Sequence, residues 1–310
     1  MSYSVKHIFL FLSAVLILQS CYNLNPPEKI REPSAYYFYQ MALQFRIQGH
    51  LKKALNEINK AIKINDHISL FYVLKAQIFD SLQVLDSAVY YYKHSLIYRS
   101  HSPEVLKRLA ELSFQKGNLQ QAIRYYRKAY IEEPDSVNFL LNIAQLYLKE
   151  NNLEKAQLIL DEYRLTQERN DRALASYYYI YSADLALAKG DSLKAARNYA
   201  QSHCGACLST RQAEWAFKTL LTVGNLDAYY ELLSGVVKNR NFPEGLLFYY
   251  RGLYYLAIGN RNEAMEQFER AYTKGLRKRK LLQILLQYYR TSNREQRIKQ
   301  LQEDLDNLKD

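Results

Sequence analysis

Residues 109–134 read LAELSFQKGNLQQAIRYYRKAYIEEP, and the order of small, apolar and turn residues within them decides the fold. Leu106, Leu109 and Ala110 recur at helical spacing, and Gly117 ends that helix. Ala122, Tyr126 and Ala129 then form the inner stripe of a second helix, which Pro134 brings to a stop. The stretch is therefore a helical hairpin. Its alanines let the two helices approach closely, and its leucines and tyrosines fill the gaps toward neighbouring pairs.

The same beat runs outward in both directions. A turn residue followed five positions later by alanine recurs as Gly49 and Ala54, Gln83 and Ala88, Asn151 and Ala156, Gly190 and Ala195, and Gly259 and Ala264, with Gly224 between the last two. The period is roughly 34 residues. Phe38, Met41, Ala42, Phe45, Ala54, Ile58 and Ala61 repeat the scheme near the start, and Leu140, Ile143, Ala144, Tyr147, Ala156 and Leu160 repeat it in the middle. Three departures stand out. Gln83 replaces the turn glycine, the exit from Gln167 to Arg172 is long, and Tyr229 stands where alanine is expected.

Leu109, Ala110, Gly117, Ala122, Tyr126, Ala129 and Pro134 together resemble the tetratricopeptide repeat (TPR) family, and Gly252, Tyr255, Ala264, Phe268 and Ala271 match it again. The resemblance implies an all-α fold, a right-handed superhelical solenoid of TPR-like helical hairpins, with six to seven repeats over 35–275. Such stacks bury one continuous core and leave a concave surface suited to an extended peptide or a partner helix. With family-like geometry, the first helix of each pair lines that surface. The expected protein-binding residues are Tyr36, Tyr39, Leu43 and Arg46, then Lys107, Glu111 and Phe114, then Tyr249, Leu253 and Leu256.

Ahead of the repeats, Lys6 precedes an apolar run from Ile8 to Leu18, which is too short to span a bilayer. Leu18-Gln19-Ser20-Cys21 resembles the lipobox of bacterial lipoproteins, so residues 1–20 are expected to be a signal peptide and Cys21 the lipidated residue, carrying palmitate-type acyl chains. Several buried chains give a durable hold, at about 0.8 kcal/mol per methylene. Residues 21–34, with Pro26, Pro27 and Pro33, read as a tether. Asp does not follow Cys21, and the expected location is the cell envelope, at the outer membrane facing the periplasm.

The chain carries a net charge of +11 and 29 tyrosines. Tyrosine clusters at 36–39, 90–92, 177–179, 229–230 and 249–250; since neighbours on a helix point about 100° apart, each cluster must meet more than one environment. Basic residues intensify at Arg277, Lys278, Arg279 and Lys280, where 276–310 reads as basic capping helices able to meet anionic lipid, a cell-wall polymer or an acidic protein face. Nucleic acid is not the expected partner of an exported, lipidated chain, and no recognition motif accompanies the charge.

Cys204 and Cys207 stand two residues apart; they suit a disulfide, free thiols, or a redox or metal site. With His203 they supply three nearby ligands at most, and no second pair completes a zinc site. The six histidines form no HExxH motif, and neither a phosphate-binding glycine loop nor a GxSxG elbow is present. No cofactor, metal or enzymatic activity is expected. The chain reads as a lipid-anchored periplasmic adaptor whose TPR groove holds envelope proteins or peptides, similar in form to outer-membrane assembly and pilus pilot lipoproteins. The alternatives are a cell-wall-associated scaffold with a basic C-terminal contact, and a CxxC thiol-redox module.

Overall fold

In a computed structural model of the chain, the described residues are 34–308 apart from 171, 204–206 and 293. The signal peptide, Cys21, the tether up to residue 33 and Cys204 lie outside them. The described residues form sixteen α-helices and no strand. They divide between two compact units that meet in sequence at His101 and Ser102. Among them, no helix is long and apolar enough to cross a membrane.

The unit ending at His101 holds α1 (Ala35–Ile47), α2 (Leu51–Ile64), α3 (Ser69–Ser81) and α4 (Leu85–Tyr98), paired in order as two hairpins. Ala42, Ala54, Ile58 and Ala61 are fully buried in one cluster with Phe71, Leu74 and Ile78. Small residues at 42, 54 and 61 let α1 and α2 close on each other, and Phe71 on α3 fills the space that this leaves.

The unit beginning at Ser102 holds six more hairpins. They are α5 (Pro103–Gln115) with α6 (Leu119–Glu132), α7 (Asn138–Lys149) with α8 (Leu153–Arg169), and α9 (Ser176–Ala188) with α10 (Ser192–Gln201). The series continues with α11 (Thr210–Thr222) and α12 (Leu226–Val236), α13 (Glu244–Ala257) and α14 (Arg261–Thr273), and α15 (Arg279–Thr291) and α16 (Glu295–Asp306). Within this unit each second helix packs on the first helix of the next pair, and α9 meets α7 as well as α8. Leu281, Leu282, Leu285, Leu286 and Tyr289 of α15 and Leu301 of α16 are buried, so the C-terminal stretch folds as a further hairpin of the same kind.

One turn explains the period. In the first seven hairpins the residue after the first helix's last turn has positive φ: Gly117 at 76°, with Gln83 at 59° and Asn151 at 57° in the two pairs without glycine. Its N–H bonds back to the carbonyl three residues earlier, at 2.8–3.2 Å. The next residue's N–H reaches five residues back at 2.8–2.9 Å, from His50 to Phe45 through Asn260 to Tyr255. This double bond is a Schellman motif, which satisfies carbonyls that the helix end would strand. That next residue also starts the second helix. Asn118, Asn152, Asp191, Asn225 and Asn260 each accept a side-chain cap from the N–H three residues on, at 3.0–3.3 Å. The sequence beat is thus a helix stop and a helix start compressed into two residues.

The departures from the beat have physical substitutes. The long exit after α8 is held by Tyr163, whose hydroxyl accepts from Ala175 N–H at 3.2 Å, and by Gln167, which donates to the Ala173 carbonyl at 3.2 Å. Tyr229 takes the alanine position in α12 with its ring fully buried, 4.9 Å between centroids from Phe217. In α13, Gly252 makes room for the buried Phe268 of α14; a Cβ at 252 would stand 2.4 Å from that ring.

Candidate functional site

The shared turn singles out one side chain per hairpin: the residue whose carbonyl accepts from the left-handed turn residue. In the second unit these are Phe114, Leu148, Leu187, Leu221 and Leu256, on α5, α7, α9, α11 and α13. Phe114, Leu187 and Leu256 are 36%, 41% and 37% exposed, while Leu148 and Leu221 are half-buried. Arg294 N–H to the Tyr289 carbonyl, at 3.4 Å, sets the same register in the last pair, so Arg290 takes the sixth place. Stacking repeats the position into a row, five apolar side chains followed by a cation. Lys149 of α7 lies 5.1 Å from the Phe114 ring centroid and links the first two rungs. The unit ending at His101 has Arg46 and Asp80 at this place, so the apolar row belongs to the second unit.

Three carboxylates beside this row are already engaged. Glu111 accepts from Arg108 at 2.7 Å. Asp184 accepts from the Tyr199 hydroxyl and from Gln212 Nε2. Glu214 is bonded to Lys278 and accepts from the Tyr250 hydroxyl at 3.0 Å. Burial first, and then the neighbouring carboxylates Asp184 and Glu214, push the Tyr199 and Tyr250 hydroxyls upward, which keeps both as donors.

The expected binding residues divide. Tyr36 is exposed, with its ring edge-on to Phe71 at 5.5 Å; Tyr39 stacks on Phe71 at 5.5 Å, and Leu43 packs against the same core. Arg46 is half-buried, Lys107 is exposed 3.8 Å from Glu111, and Phe114 and Leu256 belong to the row. Tyr249 and Leu253 correct the expectation: they are only 5% and 7% exposed, so a partner cannot lie on them. The Tyr249 ring packs against Tyr250 at 5.3 Å and Phe268 at 6.1 Å, because the small Gly252 draws α14 close. Tyr249 and Tyr250 are both buried but meet different neighbours, Phe268 and Phe217, whereas Tyr229 is buried and Tyr230 exposed. Leu148, Leu187 and Leu221 were not among the expected residues. Their signal is in the sequence, three positions before each turn residue.

The basic run is also partly corrected. Arg277 pairs with Asp304 at 2.9 Å, donates to the Tyr272 carbonyl at 2.7 Å and lies 3.8 Å from that ring's centroid. Arg297, bonded to Glu269, lies 4.5 Å from the same ring. Lys278 is bound to Glu214 and faces the Tyr249 and Tyr250 rings. Arg277 and Lys278 therefore fasten the last hairpin to its neighbours. Lys280 is exposed. Cys207 is disulfide-bonded, its partner lying outside the described residues, and among those residues no group of three His, Cys, Asp or Glu could hold a metal.

Comparison with known proteins bears on this architecture. The family model described as tetratricopeptide repeat matches residues 113–177. No curated protein matches the chain. Among solved structures, a tetratricopeptide repeat protein from Parabacteroides merdae is 19% identical, with 81% of this chain and 97% of that one covered and a TM-score of 0.51. PilW, a widely conserved type IV pilus biogenesis factor, is 15% identical over 81% of this chain and 98% of its own, with a TM-score of 0.43. PilF of Pseudomonas aeruginosa is 15% identical over 78% and 92%, also at 0.43. The likeness to the Parabacteroides protein is one of fold: paired α-helices in series, with the tetratricopeptide pattern legible over 113–177.

Proposed function

We propose that the chain is a lipid-anchored scaffold of a bacterial envelope, fixed through Cys21 at the outer membrane and facing the periplasm, that holds a partner protein on the first-helix face of its second unit. The observation that carries the binding role is the row Phe114, Leu148, Leu187, Leu221 and Leu256. Five hairpins place an apolar side chain at the same turn position, and three of the five face solvent. Core packing would bury them, whereas an interface uses such side chains as anchors. The anchor rests on the sequence from Lys6 to Cys21, and the tether on residues 21–34. A cell-wall contact through the basic run is less well supported, since Arg277 and Lys278 are engaged inside the fold.

The test is crosslinking in living cells followed by identification of what is captured, comparing the native chain with Leu187→Glu/Leu256→Glu. One dominant envelope protein, lost from the variant while the variant's unfolding midpoint is unchanged, supports the reading. Capture that ignores both substitutions removes the row from the function. Labelling with a palmitate analogue that disappears in Cys21→Ala tests the anchor separately.

A further inference from the structure

Charge along the same face is lopsided. Glu111, Asp184 and Glu214 are each bonded within the fold, as described, and so present little negative charge outward. Glu104, at the start of α5, and Glu244, at the start of α13 and paired with Lys274 at 2.5 Å, are the exposed carboxylates of these first helices. The cations are disposed otherwise. On α11, Arg211 and Lys218 share a helix face with Leu221 at seven- and three-residue spacing, and both are exposed. On α15, Lys280 and Arg290 share a face through Gln283 and Gln287, and both are exposed, Arg290 standing at the sixth place of the row. None of the four has a bonded counterion among the described residues. The row therefore runs from aromatic and aliphatic rungs toward four unneutralised cations.

We infer that the occupant of this row is an acidic amphipathic segment of the partner protein. Its apolar side chains lie on Phe114, Leu148, Leu187, Leu221 and Leu256, and its carboxylates meet Arg211, Lys218, Lys280 and Arg290. The inference rests on the scaffold reading above and specifies the partner's chemistry. A basic or neutral amphipathic segment would leave the four cations without counter-charge, and like charges brought together oppose association. The complementary arrangement sets orientation as well as preference: the acidic end of the segment belongs beside α15. Exposed charges separated by more than about 8 Å are screened at physiological salt, so the preference should weaken as salt rises.

The test uses full-length protein purified in detergent and two fluorescent synthetic peptides that share one heptad pattern of leucines, with Glu at the polar positions of one and Lys at those of the other. Binding is followed by anisotropy at low and high salt. The Glu peptide is expected to bind at least about tenfold tighter than the Lys peptide, which corresponds to about 1.4 kcal/mol. The preference should shrink with salt and reverse in Arg211→Glu/Lys218→Glu, while Leu187→Ser/Leu256→Ser weakens the Glu peptide without moving the protein's urea midpoint. Equal binding of both peptides, lost in the leucine variant, overturns the charge assignment and leaves the apolar row in place. Binding by neither peptide, or binding indifferent to the leucine variant, overturns the occupant and counts against the row itself.

Discussion

The hydroxyl of Tyr229, on α12, donates to the main-chain carbonyl of Tyr250, on α13, at 2.9 Å. Tyr229 stands where the other hairpins from the first to the seventh place a fully buried alanine, and its ring is as completely buried as they are. The ring thus fills a space between pairs, and its one polar atom is satisfied. Tyr229→Phe removes the hydrogen bond alone and should cost about 1 kcal/mol. Tyr229→Ala also empties the site and should cost about 3–5 kcal/mol. Urea unfolding of both variants checks the order; equal losses would mean that the ring contributes nothing beyond its hydroxyl.

Gly252 and Phe268 form a matched pair of opposite sizes. A methyl group at 252 would stand 2.4 Å from the Phe268 ring, which is fully buried and has no free side to move toward. Gly252→Ala should therefore cost about 1–3 kcal/mol by overpacking. Combined with Phe268→Leu, the loss should be smaller than the sum of the two single losses, since each substitution relieves the other. Additive losses in a double-mutant cycle would show that the clash is absorbed elsewhere.

These two sites mark where the sequence is legible and where it is not. The hairpins were readable because Gly49, Gly117, Gly190 and their following alanines repeat at a fixed distance, and a Schellman turn followed by a cap tolerates few residue types. Phe114 and Leu256, expected from family-like geometry, stand three residues before their turn glycines. Tyr249 and Leu253 were misplaced because helical phase locates a face but not the depth of its neighbours, and Gly252 with Phe268 brings those neighbours closer than the period implies. The bonds of Arg277 to Asp304 and Lys278 to Glu214 join residues far apart in sequence, so a local charge run could not reveal them.

Gln83 and Asn151 occupy the left-handed turn position at φ 59° and 57°. A side chain there crowds the following carbonyl, at roughly 1–2 kcal/mol, although asparagine offsets part of this by local hydrogen bonding. Glycine meets no such penalty but has more freedom to lose on folding. Gln83→Gly should therefore stabilise by about 0.5–1 kcal/mol, and Asn151→Gly by less. Thermal or urea midpoints that fall in Gln83→Gly would show that the glutamine side chain contributes more than its backbone strain removes; its amide does donate to the Asp80 carbonyl, at 3.3 Å.

Alkaline conditions should loosen the second unit through its buried tyrosines. Burial, with a further contribution from Glu111, pushes the Tyr126 hydroxyl up to about 12, and burial, with Tyr177 beside it, pushes Tyr181 up to about 12. The ordinary value is 10.0, so an unfolded chain releases these two protons near pH 10 while the folded chain still holds them. Between pH 10 and about 12 the unfolded state binds fewer protons, and stability must fall as pH rises. Below pH 10 both states are protonated and the contribution is complete. Urea midpoints measured on either side of pH 10 should drop on the alkaline side, with tyrosinate absorbance growing as the chain opens. Tyr126→Phe/Tyr181→Phe should flatten part of that drop; a slope identical to the native protein's would show that these two rings are reached by solvent before the fold gives way.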